Sequence, residues 1–127
     1  MCGLYHCHSR GVLYRDIKGS NLLIDNNGIL KIADFGLASF FNPHQTQPLT
    51  SQVVTLWYWP PELLLGATFY GTVVDLWSTG CIIAELYAGK PIMQGKTEVL
   101  KFFFSPRTCN IRRMFLLVFL IIIFYLY

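Results

Sequence analysis

The run Tyr14-Arg15-Asp16-Ile17-Lys18-Gly19-Ser20-Asn21 leads into Leu22-Leu23-Ile24-Asp25-Asn26-Asn27-Gly28-Ile29-Leu30-Lys31-Ile32-Ala33, which is closed by Asp34-Phe35-Gly36. The middle portion is two short apolar runs around Asn-Gly, the strongest local signal for a β-hairpin. A two-residue loop at Asn27-Gly28 pairs Asn26 with Ile29, Ile24 with Lys31 and Leu22 with Ala33, and it sets Asn21 opposite Asp34. Directly opposed residues on paired strands have Cβ atoms about 4.5–5.5 Å apart, so an amide oxygen and a carboxylate are expected to meet at the open end of the hairpin. Two hard oxygen donors with room for water and phosphate suit Mg²⁺. The same pair also reads as a polar contact at a strand end, and geometry by itself leaves both readings open.

Working outward, residues 1–9 read as the last turns of a helix stopped by Gly11; the helix has no N-cap at its start, which points to sequence upstream. Val12-Leu13 is a short apolar link into the polar stretch from Tyr14 to Asn21. Residues 36–60 mix Gly, Pro, Ser, Thr, Gln and Asn with scattered apolar groups and show no sustained period, so a long functional loop is expected. Pro60-Pro61 ends it, and Glu62 to Leu65 fits a short helix begun by proline. Thr72 to Ala88 is the clearest helix, with Thr72 as N-cap, Asp75 three residues on in a box-like arrangement, and Gly89, Lys90 and Pro91 as stop signals. Its apolar positions cover nearly every face, the pattern of a helix buried inside a larger protein. Asp75 on such a helix needs partners, because an unpaired buried carboxylate is costly.

The chain has 127 residues, 54% of them apolar, and a formal net charge of +3. Both figures are set at the C-terminal end. Met114 to Tyr127 is wholly apolar, and Arg107, Arg112 and Arg113 have no acidic neighbour, whereas all seven acids fall between Asp16 and Glu98. A charge-neutral body excludes a direct nucleic-acid binder working through a broad basic face, and its apolar content excludes general disorder. The four cysteines occur without a secretory signal pattern, so free thiols in a reducing compartment are the default. Cys2, His6, Cys7 and His8 invite a zinc reading, but no second ligand pair follows at finger spacing, and a helix end is the better reading.

Three motifs in order carry a resemblance. Tyr14 to Asn21 is similar to the catalytic loop of protein kinases, Asp34-Phe35-Gly36 to their metal-binding triplet, and Pro60-Pro61-Glu62 to the triplet that closes their activation segment. Val53-Val54-Thr55-Leu56-Trp57-Tyr58 before Pro-Pro-Glu-Leu-Leu-Leu-Gly resembles the cyclin-dependent kinases. Lys18-Gly19-Ser20-Asn21 and Asp34-Phe35-Gly36-Leu37-Ala38-Ser39 resemble the plant transcription-type branch of that group. The resemblance runs from about Cys7 to Val99. It implies a partial protein-kinase-like α+β fold: a mostly helical large lobe with the β-hairpin beside the catalytic loop, the small nucleotide-binding lobe being absent. Residues 1–99 are then a partial kinase domain and 100–127 an unrelated basic-then-apolar tail.

The implied function is that of a Ser/Thr protein kinase of cyclin-dependent type, with ATP and Mg²⁺ as cofactors and protein substrates and a cyclin as partners. Phosphoryl transfer asks a protein mainly to position groups and neutralise charge. The resemblance gives Asp16 the proton of the attacking hydroxyl, Lys18 the γ-phosphate, and Asn21 and Asp34 the Mg²⁺ between β- and γ-oxygens. Thr55 is implied to link the activation segment to Asp16 and Lys18, and Asp75 to accept hydrogen bonds from catalytic-loop amides. Glu62 is implied to pair with an arginine of a later helix, and Thr50 to be an activating phosphosite with Arg15 as partner. Tyr14 replaces the usual histidine. Trp59 stands where the family has an arginine that shapes the pocket for proline after the target residue, and Trp has no charged fork to replace it, so proline-directed specificity is left open. Ser39 stands where another phosphate-binding arginine is common. With no Gly-rich loop, strand lysine or partner glutamate before the catalytic loop, this polypeptide by itself is expected not to bind ATP appreciably.

The apolar run Met114–Tyr127 would span about 21 Å as a helix, short of the ~30 Å hydrocarbon core. It reads as an aberrant end, such as translated intron, or as a marginal membrane tail anchor with Arg112 and Arg113 on the cytoplasmic side. The expected location is nuclear or cytoplasmic, with a tail-anchored membrane location as the alternative. The rival functional reading is a non-catalytic kinase-lobe piece that binds a partner or membrane through exposed surface and tail.

Overall fold

The computed structural model describes residues 2–42, 48–50 and 56–91. Thr55 and the whole tail, including Met114–Tyr127, lie outside the described residues.

Helix α1 (Cys2–His8) buries Leu4 and ends in a turn closed by Gly11 N–H on the His8 carbonyl at 3.0 Å. Gly11 has φ +69°, and a Cβ there would lie 3.0 Å from the Phe41 carbonyl oxygen, so both the dihedral and the close approach call for glycine. That approach belongs to a small antiparallel ladder between β1 (Val12–Leu13) and β4 (Ser39–Phe40), with Val12 opposite Phe40 and Leu13 opposite Ser39. Strand β4 sits inside the stretch expected to be loop. Two residues are too short to show an alternating pattern, so the pairing is set by the Gly11 turn and not by a local β signal.

The hairpin expected from Asn27-Gly28 is present, as β2 (Leu22–Ile24) against β3 (Leu30–Ile32), but its register is shifted by one. Leu22 pairs with Ile32 and Ile24 with Leu30, which places Asn21 opposite Ala33 and not Asp34; the Ala33 N–H meets the Asn21 carbonyl at 2.9 Å. The cause is the turn. Asp25 and Ile29 close a three-residue loop, with Gly28 at φ +77° and its N–H on the Asp25 carbonyl at 2.9 Å. Asp25 Oδ1 stabilises this wider loop by accepting the N–H groups of Asn27 (2.9 Å) and Ile29 (3.0 Å), a side-chain competitor for the tighter turn.

After Pro60 in extended conformation, α2 (Pro61–Leu64) begins with proline, as expected. Helix α3 (Val73–Ala88) stops at left-handed Gly89, also as expected. The capping box at its start does not form: Thr72 is already helical (φ −58°, ψ −21°) and makes no side-chain cap, while the Asp75 carboxylate turns away from the helix start. Nor is α3 buried all round. Val74, Asp75, Leu76, Trp77, Ser78, Cys81 and Ile82 are inside, but Leu86 and Tyr87 in the last turn are 78% and 86% exposed.

Two apolar clusters hold the elements together. Leu4, Tyr14, Ile17, Tyr58, Leu76, Trp77, Cys81 and Ile82 join α1, the stretch 14–21, the turn at Leu56–Tyr58 and α3, with Leu22 and Ile32 packed against them. Trp59, Leu63 and Val74 form the second, flanked by Leu56, Leu64 and Tyr70. The polar stretch 14–21 is therefore laid over the side of α3.

Candidate active site

Asp75 is 1% exposed and pins that stretch from below. Its Oδ1 accepts the Arg15 N–H at 2.7 Å, its Oδ2 accepts the Tyr14 N–H at 2.9 Å, and His8 Nε2 lies 2.8 Å from Oδ2. Three donors answer the demand that burial places on this carboxylate. Held this way, Arg15 adopts φ +65°, a left-handed conformation that costs roughly 1–2 kcal/mol in a residue with a Cβ. Its guanidinium is fixed as well, Nε donating to the Leu37 carbonyl at 2.8 Å and Nη1 to the Tyr70 hydroxyl at 3.1 Å.

The turn at Arg15 presents Asp16, which is 4% exposed. Its Oδ2 accepts Lys18 Nζ at 2.7 Å and Asn21 Nδ2 at 2.9 Å. The same Asn21 Nδ2 reaches the Asp16 carbonyl at 3.0 Å. Its Oδ1 is buried and has no hydrogen-bond partner among the described residues. A buried carboxylate oxygen without a donor is a costly arrangement for a purely structural group. Asp16, Lys18 and Asn21 thus come together on one network.

Asp34 is held differently. It is exposed, sits at φ +59°, and its Oδ1 accepts the Gly36 N–H at 3.1 Å. With Asn21 Nδ2 committed to Asp16, the Asn21 Oδ1 is left with the Ser20 hydroxyl at a long 3.4 Å. One amide oxygen and one carboxylate are a donor set that fits Mg²⁺, whose remaining positions are ordinarily filled by water and phosphate.

Tyr14 is fully buried beneath the triplet. Its hydroxyl donates to the Ala33 carbonyl, and its ring meets Phe35 edge to face at 5.1 Å. Burial pushes its phenol up, and the carboxylates of Asp16, Asp34 and Asp75 act in the same direction against a hydrogen bond with Asn21, so the group stays neutral. Thr50 is exposed, and its carbonyl accepts the Tyr70 hydroxyl at 2.5 Å. Glu62 is half-buried and makes no ion pair among the described residues.

Two contributors escaped the sequence reading. His8, read there only as part of a Cys/His cluster, shares a helix face with buried Leu4 four residues earlier, and that spacing was the available signal for an inward-facing histidine. Tyr70 has no comparable signal, because its role depends on Arg15 and Thr50, both far away in sequence.

A sequence model of the protein kinase domain matches residues 1–115. The chain belongs to the protein kinase family. It is 76% identical over 97 residues to a probable serine/threonine-protein kinase of Arabidopsis thaliana, an alignment covering 76% of this chain and 14% of the relative. It is 64% identical over 98 residues to cyclin-dependent kinase C-2 of Arabidopsis thaliana, covering 77% of this chain and 19% of that protein. Cyclin-dependent kinase C-1 of Oryza sativa subsp. japonica is 63% identical over 98 residues, with the same coverage of 77% and 19%. The chain thus spans less than a fifth of the length of these curated relatives. The kinase-domain match takes in the segment 14–21, the hairpin, the Asp-Phe-Gly triplet and α3, in a partial kinase-like α+β fold.

Proposed function

We propose that this segment carries the phosphoryl-transfer site of a Ser/Thr protein kinase of cyclin-dependent type. The observation that carries the reading is Asp16. One of its oxygens is neutralised by Lys18 and steadied by Asn21, while the other is buried without a donor among the described residues, which suits it to accept the proton of a substrate Ser or Thr hydroxyl. Lys18, bonded to Asp16 in this state, is the point charge available to a transferring phosphate. Asn21 and Asp34 would hold Mg²⁺, which supplies neutralisation of phosphate charge when bound. Arg15 and Asp75 support the loop, Glu62 supports the end of the activation segment, and Thr55 joins that segment to Asp16 and Lys18. Thr50 is the phosphosite of the reading, with Arg15 as its arginine partner. Substrates are Ser/Thr proteins. Trp59, buried against Leu63 and Val74, lacks a guanidinium fork, so a preference for proline after the target residue is not part of the reading. ATP as phosphoryl donor, a cyclin partner and a nuclear or cytoplasmic location follow from kinship with the cyclin-dependent kinases.

The test is a graft of residues 12–91 into the matching part of Arabidopsis cyclin-dependent kinase C-2, assayed with labelled ATP on a Ser/Thr acceptor protein. Asp16→Asn is expected to lower kcat about 10²–10⁴-fold, and Asp34→Ala to remove the dependence on Mg²⁺ together with the activity. A graft that keeps its full rate with Asp16→Asn overturns the reading. Exposed Leu86, Tyr87 and Phe40 favour a second reading, a non-catalytic piece that binds a partner through apolar surface. Partner capture by the chain, unaffected by either substitution and without transfer in the graft, would favour it.

A further inference from the structure

We propose that the Tyr70 hydroxyl is a latch that couples the Thr50 segment to the catalytic loop through Arg15. Tyr70 lies between α2 and α3, and its ring packs against the Trp59, Leu63 and Val74 cluster, so the hydroxyl is delivered from an anchored ring. That hydroxyl works in both senses, accepting from Arg15 Nη1 at 3.1 Å and donating its proton to the Thr50 carbonyl at 2.5 Å. Arg15 is a firm anchor on the other side. Its Nε is held by the Leu37 carbonyl at 2.8 Å, its N–H by Asp75 at 2.7 Å, and its side chain is buried.

The loop that carries Tyr70 grips the same segment a second time, through the Leu49 N–H on the Thr68 carbonyl at 2.8 Å. Displacement of Thr50 therefore pulls on Tyr70, and through it on the residue directly before Asp16. Phenylalanine at position 70 would keep the ring and its packing but could neither accept from Arg15 nor donate to Thr50. Tyr70 is thus a positioning residue: it acts through Arg15 and touches no reacting atom. The inference goes beyond the phosphoryl-transfer reading and is tested without an activity readout, so either can fail while the other stands.

The test compares the full 127-residue chain with its Tyr70→Phe variant by amide hydrogen exchange, with α3 as the internal control and Arg15 followed by guanidinium ¹⁵N NMR. Losing one hydrogen bond of ordinary net strength should speed exchange at Leu49 and Thr50 by about 3- to 10-fold. Exchange in α3 should not change. The Arg15 Nη protons should collapse towards one averaged signal as rotation is freed, while the Nε proton, held by Leu37, stays distinct. Unchanged exchange at Leu49 and Thr50 with unchanged Arg15 signals overturns the latch. If Tyr70→Phe also loosens α3, the parent chain decides. A nuclear Overhauser contact between the Arg15 Nη protons and the Tyr70 ring supports the latch, and its absence overturns it.

Discussion

The catalytic loop and the Asp34 arm flank the open end of one hairpin, yet they are held in opposite ways. Tyr14 to Asn21 is fixed by partners far away in sequence: Asp75 takes the N–H groups of Arg15 and Tyr14 from 60 and 61 residues away. Asp34 is fixed locally, by the Gly36 N–H two residues on, and it is exposed. The difference fits the chemistry proposed for each end. A base has to be placed before its substrate arrives, so its position belongs in the core. A metal-holding carboxylate acquires its geometry together with ligands that the protein does not supply, so exposure costs it little.

The largest expected effect breaks the buried side of this contrast. Asp75→Ala strands the buried Tyr14 and Arg15 N–H groups and removes the carboxylate beside His8, and should cost about 3–5 kcal/mol. Urea unfolding would show a much lower midpoint or no cooperative transition. Asp34→Ala should cost less, about 1–2 kcal/mol, because it loses the Gly36 bond and keeps a Cβ at φ +59° but leaves no buried donor unpaired. Equal losses in the two variants would erase the distinction between a core-fixed loop and a locally fixed arm.

Tyr58 tests the same buried side by pH. Its hydroxyl donates to Glu85 Oε2 at 3.0 Å, and burial, reinforced by that carboxylate, pushes the phenol up to about 12. The folded state therefore holds this proton more tightly than the unfolded chain, where a tyrosine titrates near 10. Stability is intact below pH 10 and falls between about 10 and 12, by at most about 1.4 kcal/mol per pH unit. Tyr58→Phe should remove that slope from an alkaline titration of the unfolding midpoint.

How much of this was legible in the sequence follows the same division. Elements marked by their own residues were readable: α3 from its apolar run and Gly89, α2 from Pro61, the hairpin from Asn27-Gly28, and the need of Asp75 for partners from its apolar surroundings. What failed was decided by side chains competing with backbone signals. Asp25 widened the turn and shifted the register by one, and the same kind of competition drew Asp75 away from the capping box. Strand β4 and the Tyr70 bridge were invisible because their partners are distant, and Leu86 and Tyr87 show that an apolar helix face does not by itself mean a covered one.

On the exposed side, Asp34 at φ +59° occupies a conformation that glycine adopts without strain. Asp34→Gly should therefore hold the fold level or stabilise it by about 0.4–1 kcal/mol, offset in part by the lost bond to Gly36 and by a more flexible unfolded chain. In the graft it should abolish Mg²⁺-dependent transfer. Gain in one assay and loss in the other would mark Asp34 as kept for its carboxylate and not for the fold.

The smallest effect concerns Asp25, whose carboxyl is held below the usual carboxylate range, first by the Ile29 N–H and next by Lys31 at 3.0 Å. A depressed folded value means that the stabilisation is present above the unfolded value, near pH 4, and is lost as pH falls through the folded one. Hairpin amides should then open on acidification, and Asp25→Asn should remove most of that dependence. Salt separates the two causes. The exposed Lys31 pair is screened at about 1 M salt, where the Debye length is roughly 3 Å, whereas the bonds to the Ile29 and Asn27 N–H groups are intimate and largely unscreened. If the acid response survives high salt, the turn that set the register is held by the backbone; if salt abolishes it, the ion pair was the holder.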